Sequence, residues 1–160
     1  MRLLTMCEAT RENWRNALRL AVRPEQQGFI AEYAPVAAIA LAKAYVRPGG
    51  LVWTPYTFST GDAMIGFAEL AYEPGSADNY WLCHFFIDCS YQGQGYGRQA
   101  LQRLIEFVRE QHPSCCMLRL TVHPDNVAAQ RLYASAGFQP TGTQRDGEPM
   151  YEFHLRDTEM

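Results

Sequence analysis

Phe85–Phe86–Ile87–Asp88–Cys89–Ser90–Tyr91–Gln92–Gly93–Gln94–Gly95–Tyr96–Gly97 is the stretch that decides how this chain is read. An apolar strand runs into three closely spaced glycines, and a helix follows. Ala100, Leu101, Leu104, Ile105 and Val108 recur at helical spacing, with Arg103, Glu106, Arg109 and Glu110 on the other face. Free backbone N–H groups at a helix N-terminus attract anions, and glycines let an anion come close. The order strand, glycines, helix therefore predicts a phosphate-bearing ligand; a plain tight turn is the competing reading. The spacing 93, 95, 97 does not fit the dinucleotide pattern G-x-G-x-x-G, and no Lys follows as a P-loop requires.

Working outward, residues 2–7 read as a strand. Trp14, Ala17, Leu18 and Ala21 read as a first helix, and Pro24 opens a second with Phe29, Ile30 and Tyr33 on its stripe. An Ala-rich helix over 35–44 stops at Arg47–Pro48–Gly49–Gly50, its small residues suited to close packing on a sheet. Runs 51–58, 63–72 and 80–88 read as strands. They are apolar at both parities, as in a sheet covered on both faces. A strand follows over 115–122. Asp125 is expected to cap a helix carrying Ala129, Leu132, Tyr133 and Ala136, closed by Gly137. Strands over 138–143 and 150–155 form a hairpin through Asp146–Gly147. The predicted order is β-α-α-α-β-β-β-α-β-α-β-β. That is an α/β chain, one domain over 1–160, with a mixed sheet of about six or seven strands and helices on both faces.

The 160 residues are 48% hydrophobic and 19% charged, a globular balance. A net charge of −3 argues against a nucleic-acid binder. The longest uncharged apolar run, 35–42, falls far short of the ~20 residues of a membrane span. The first eight residues hold no apolar core of a secretory signal. Together with five cysteines, an odd number, this predicts reduced thiols and a cytoplasmic protein. Cys83, His84 and Cys89 form a grouping that invites a metal. Strand alternation would set Cys83 and His84 on opposite faces, and no second ligand pair follows, so no metal is expected. Lys43 is the only lysine; all other basic residues are Arg.

Gln92–x–x–Gly95–x–Gly97 resembles the Q/R-x-x-G-x-G/A signature of the GNAT superfamily of acetyl-CoA-dependent N-acetyltransferases. A second match is Val122–x–x–x–Asn126–x–x–Ala129–x–x–Leu132–Tyr133–x–x–x–Gly137–Phe138. The element order fits the same family. Trp81–Leu82–x–x–Phe85–Phe86–Ile87–Asp88 with Tyr91–Gln92–Gly93–x–Gly95 is similar to bacterial spermine/spermidine (diamine) acetyltransferases, although their pattern often carries an acid where this chain has Cys83.

The resemblance implies a GNAT fold with a mostly antiparallel sheet, acetyl-CoA as co-substrate and direct transfer to a primary amine of a small molecule, a polyamine among the candidates. A protein or antibiotic amine, or a non-catalytic acetyl-CoA-binding module, are the alternatives. The pantetheine arm would lie between the strand at Phe85, Phe86 and Ile87 and the strand near Leu118. The pyrophosphate would be held at Gln92, Gly93, Gln94, Gly95, Tyr96, Gly97 and Arg98, and Asn126 would bond the arm.

An alkylamine with a pKa near 10.4 is free base in only about one molecule in 2,500 at pH 7. The chemistry therefore needs a proton acceptor and, for the departing thiolate, a proton donor. Tyr133 matches the family's tyrosine near the sulfur; on periodicity alone it would be a core aromatic. Glu69, a carboxylate inside an apolar strand, and His84, which titrates near neutrality, are the candidate bases; a hydrogen-bonded core histidine is the other reading of His84. Cys83 as a nucleophile lacks an activating partner. Glu32 could meet a cationic acceptor or be a solvated charge. Trp53, Phe58, Phe67, Phe107 and Phe153 are expected in the core. The C-terminal hairpin, apolar on both sides, would leave an edge and predicts a homodimer.

Overall fold

Seven strands form a single sheet in the order β1-β2-β3-β4-β5-β7-β6 in a computed structural model that describes residues 3–156. The strands are β1 (Leu4–Glu8), β2 (Val52–Thr60), β3 (Ala63–Tyr72), β4 (Tyr80–Ile87), β5 (Met117–Thr121), β6 (Gln139–Arg145) and β7 (Glu148–His154). The helices are α1 (Trp14–Leu18), α2 (Gln27–Ile30), α3 (Val36–Val46), α4 (Tyr96–Gln111) and α5 (Val127–Ala136). The element order is the predicted one. The expected first strand began at residue 2, which lies outside the described residues, as do 157–160.

All neighbouring strands are antiparallel except β4 and β5, which run parallel and register at one pair, Trp81 with Arg119. Beyond that pair the two strands diverge, and the sheet opens between them. The α4 face covers one side: Ala100, Leu101, Leu104, Ile105 and Val108 are buried with Phe58, Leu70, Leu82 and Leu118. On the other side Val36, Ala37 and Ala40 of α3 pack on Phe67 and Phe86. Small side chains there let the helix lie close to the strands, as its composition predicted.

Several boundaries differ from the expected ones. The first helix ends at Leu18 rather than continuing through Ala21, because the Ala21 backbone is drawn to the end of β4. Its N–H donates to Asp88 Oδ1 at 2.9 Å, and its carbonyl accepts from Cys89 N at 2.7 Å. The second helix is a 3₁₀ turn at Pro24–Gln26 followed by the single turn of α2, and Tyr33 is left exposed. Asn126, not Asp125, caps α5, its side chain accepting from Ala129 N at 3.3 Å. The hairpin turn is as read, with Asp146 (φ 51°) and Gly147 (φ 78°) both left-handed. Its outer strand is not apolar. β6 is almost wholly exposed and carries Pro140 and Gly142, the composition of a blunted edge. Trp53 is only half-buried, not core.

One irregularity shapes the site. β3 and β4 register Phe67 with Phe86 and then Glu69 with Cys83. One residue of β3 thus faces two of β4, a bulge that puts His84 at φ 52°. The expectation that Cys83 and His84 point to opposite faces fails here. The extra residue breaks the alternation, and both side chains reach the same opening.

Candidate active site

The divergence of β4 from β5 leaves a cleft of about 500 Å³. Leu82, His84 and Phe85 of β4 form one wall, and Thr121, Val122 and Asn126 lead to Leu132 and Tyr133 on the other. Phe29 of α2 meets His123, ring centroids 4.8 Å apart, and so spans from one side of the gap to the other.

The glycine loop closes one end. Gly93 (φ 75°) and Gly95 (φ 85°) are left-handed, and a Cβ on either would meet nothing within 4 Å. The space beside them is open to a ligand. Gly95 caps α4 without a side chain, so the first N–H groups of the helix have no side-chain acceptor. Gly97 serves packing instead: its Cβ would lie 3.4 Å from Leu132 and 3.8 Å from Ile87. Gln92 lines the cleft, but its amide is spent internally, donating to Ile87 O at 2.9 Å and Gln26 Oε1 at 3.0 Å. It fixes the loop to the end of β4.

Of the residues predicted to hold the anion and its arm, Phe85, Phe86, Ile87, Gln92, Gly93, Gly95, Tyr96, Gly97 and Asn126 all line this cleft. Gln94 and Arg98 do not. Both residues are exposed. Asn126 uses one lone pair of its carbonyl oxygen on the helix cap, which leaves its amide N–H groups and the second lone pair.

Tyr133 is buried between Phe85 and Phe138, with its hydroxyl near Cys83. Burial first, and then Cys83, raises its pKa above the ordinary value. It holds its proton across the neutral range. Cys83 is also raised, to about 12, by burial and then by Glu69, with Lys43 and Arg145 opposing. It is a thiol rather than a thiolate, which removes it as a nucleophile.

Neither expected base offers a free proton acceptor to the cleft. His84 Nδ1 lies 2.9 Å from Ile30 O, which can only accept, so that nitrogen carries the hydrogen. Nε2 is then the acceptor, and Lys43 Nζ donates to it at 2.9 Å. Burial and Lys43 depress the His84 pKa to about 4. The imidazole is neutral with no lone pair to spare; it holds Lys43 in place. Glu69 is fully buried, without a hydrogen bond, and reaches neither cleft surface. Burial pushes it up to about 8, Lys43 opposing.

A second cleft of about 350 Å³ opens on the far side of the gap. Trp53, Trp81, Arg145 and Asp146 line it, and Lys43, Cys83, Thr121 and Glu148 line both clefts. The two spaces therefore meet at those four side chains. Thr121 Oγ1 donates to Glu148 Oε1 at 3.0 Å, which holds that carboxylate at the junction. Reading the sequence missed Lys43, Thr121, Glu148, Trp81 and Arg145 as site residues. The one available signal was that Lys43 is the sole lysine.

Glu32 is not part of either cleft. Among the described residues no three His, Cys, Asp or Glu side chains gather as a metal site, and no helix is long and apolar enough to cross a membrane.

Known proteins share this architecture. The sequence profile of the acetyltransferase (GNAT) family matches residues 6–138. The spermine/spermidine N(1)-acetyltransferase of Bacillus subtilis is 36% identical over 98 residues, which cover 61% of this chain and 62% of that protein. The match thus spans under two thirds of the relative's length. The N-alpha-acetyltransferase RimI of Mycobacterium tuberculosis is 33% identical over 87 residues, covering 54% of this chain and 52% of that one. In structure, the Vibrio cholerae spermidine N-acetyltransferase in complex with CoA and spermine superposes with a TM-score of 0.69. It shares 16% identity over 93% of this chain and 92% of its own, a likeness of fold.

Proposed function

The chain belongs to the acetyltransferase (GNAT) family, and from that premise we propose that it transfers an acetyl group from acetyl-CoA to a primary amine of a small molecule. The observation that carries this reading is the parting of β4 from β5 after Trp81. It joins the uncapped start of α4 to a buried, protonated Tyr133 within one cleft. The residues present fit the co-substrate. Open space beside Gly93 and Gly95 and free N–H groups suit a pyrophosphate, and the unpaired side of β4 suits the amides of an extended arm. When bound, acetyl-CoA supplies an activated thioester.

In this reading the second cleft receives the amine. Nitrogen forms the new bond to the acetyl carbon as the carbon–sulfur bond breaks. Glu148, the carboxylate at the junction, takes the amine's proton, and Tyr133 gives its proton to the departing sulfur. Lys43, held by His84 and stacked 5.0 Å over Trp53, sets the charge at the junction.

Polyamines are the first acceptors to assay, given the Bacillus relative. A cytoplasmic setting is part of the proposal, supported by the five unpaired cysteines. So is a homodimer, for which light scattering at tens of micromolar is the check. The central test is incubation with acetyl-CoA and a panel of amines, reading free thiol and acetylated product together. Thiol release with an acetylated amine is the expected result. Acetyl-CoA binding with no acceptor acetylated would leave a binding module.

A further inference from the structure

The charges of the second cleft are balanced, and that bears on what it can accept. Lys43 and Arg145 bring two cations; Asp146 and Glu148 bring two acids. Neither cation is in an ion pair with a carboxylate among the described residues. Arg145 registers directly with Glu148 across the hairpin, yet its guanidinium lies over the Trp81 ring, 4.5 Å from the centroid. A guanidinium stacked on an indole keeps its in-plane N–H donors free, in the fork that matches a carboxylate. Lys43 gives one donor to a neutral His84, again with an indole, Trp53, beneath it. Both cations act on the Cys83 thiol, so their fields overlap at the mouth between the clefts.

Resting on the acetyltransferase reading, we propose that the second cleft selects a zwitterionic acceptor, an amino acid. Arg145 and Lys43 hold its carboxylate, Glu148 receives its ammonium, and the indoles of Trp53 and Trp81 flank its carbon body. A polyamine offers only cations. It can meet Glu148 and Asp146 but leaves both Arg145 and Lys43 without an opposite charge, whereas an amino acid gives the two cations a carboxylate and the acids an ammonium. The buried acid that would have offset Lys43 is Glu69, and that carboxyl does not reach the cleft surface.

The experiment uses acceptor pairs that differ only by the carboxylate: L-ornithine against putrescine, and L-phenylalanine against phenethylamine, with spermidine alongside. In acetyl transfer, kcat/KM should favour the carboxylate member by about tenfold to a hundredfold, the range of a charge-assisted hydrogen bond. Arg145→Gln, at an exposed position and so not a threat to folding, should erase most of that preference, the loss falling on the carboxylate member of each pair. Lys43→Gln should weaken it as well. Equal or better turnover of the carboxylate-free amines or of spermidine overturns the proposal, as does a preference that survives both substitutions. If no acceptor is acetylated, the acetyltransferase reading fails, and calorimetry with the coenzyme A-saturated protein decides the inference separately. L-phenylalanine should bind more tightly than phenethylamine, and Arg145→Gln should remove the difference. Equal binding of the pair overturns it.

Discussion

The Lys43 ammonium donates to Nε2 of His84 across 2.9 Å, and the other ring nitrogen is held by the Ile30 carbonyl. The only lysine of the chain is thus tied to the bulged residue of β4 and, through it, to α2. Three segments far apart in sequence meet at one imidazole, which must be neutral to serve them.

That requirement has a pH signature. Burial and Lys43 lower the His84 pKa from 6.5 to about 4. The folded state therefore binds fewer protons than the unfolded state between these values. The stabilisation is fully present above about pH 6.5 and is lost as pH falls through 4, up to about 3 kcal/mol in all. Urea unfolding of His84→Gln should show a flatter stability profile between pH 4 and 6.5 than the wild type. Parallel profiles would mean that His84 is charged in the fold.

Glu69 carries the opposite sign. Burial raises its pKa from 4.5 to about 8, with Lys43 opposing. The folded state holds a proton that the unfolded state releases, so stability is present below about pH 4.5 and lost as pH rises through 8. Glu69→Gln removes that loss. It should unfold later than the wild type at pH 8, by about 2 kcal/mol or more, and differ little at pH 4.5. Acetyl transfer should fall by less than about tenfold in this variant, because the carboxyl does not reach the cleft; a loss of 10²–10⁴, the range for a general base, would restore Glu69 to the mechanism.

Tyr133→Phe keeps the ring contacts with Phe85 and Phe138 and removes only the hydroxyl. If that hydroxyl protonates the departing thiolate, kcat should drop by about 10²–10⁴-fold, with acetyl-CoA affinity much less affected. Single-turnover transfer across pH 6–9 with saturating acetyl-CoA is the measurement. A rate within about twofold of the wild type throughout would leave Tyr133 as a core aromatic.

Gly95→Ala places a Cβ at φ 85° in otherwise open space. The fold should survive with a backbone penalty of about 1–2 kcal/mol. The rise in melting temperature that acetyl-CoA gives the wild type by mass action should be largely lost. An unchanged rise in a folded variant would put the pyrophosphate elsewhere.

Features set by neighbours in the chain are legible in the sequence itself. The α4 stripe, the small residues of α3, the Asp146–Gly147 turn and the glycine loop each depend on a few consecutive residues. So does Tyr133, through its motif on α5. What only the tertiary structure decided depends on registers between distant strands. The bulge at His84 exists because β3 offers one residue where β4 offers two, and no local pattern records the partner's count. From it follow Cys83 and His84 on one side, Lys43 in its place and a neutral His84. The parting of β4 from β5, which creates both clefts, likewise rests on a single registered pair, Trp81 with Arg119. Glu69 looked catalytic because a carboxylate in an apolar strand is costly unless it is used. The fold leaves it buried beside Cys83 and brings Glu148, an unremarked residue of the last hairpin, to the junction instead. Sequence determines which segments are strands and helices because those preferences are local. Which side chains share a cavity is decided by long-range pairing, where shifting one residue turns every side chain to the other face.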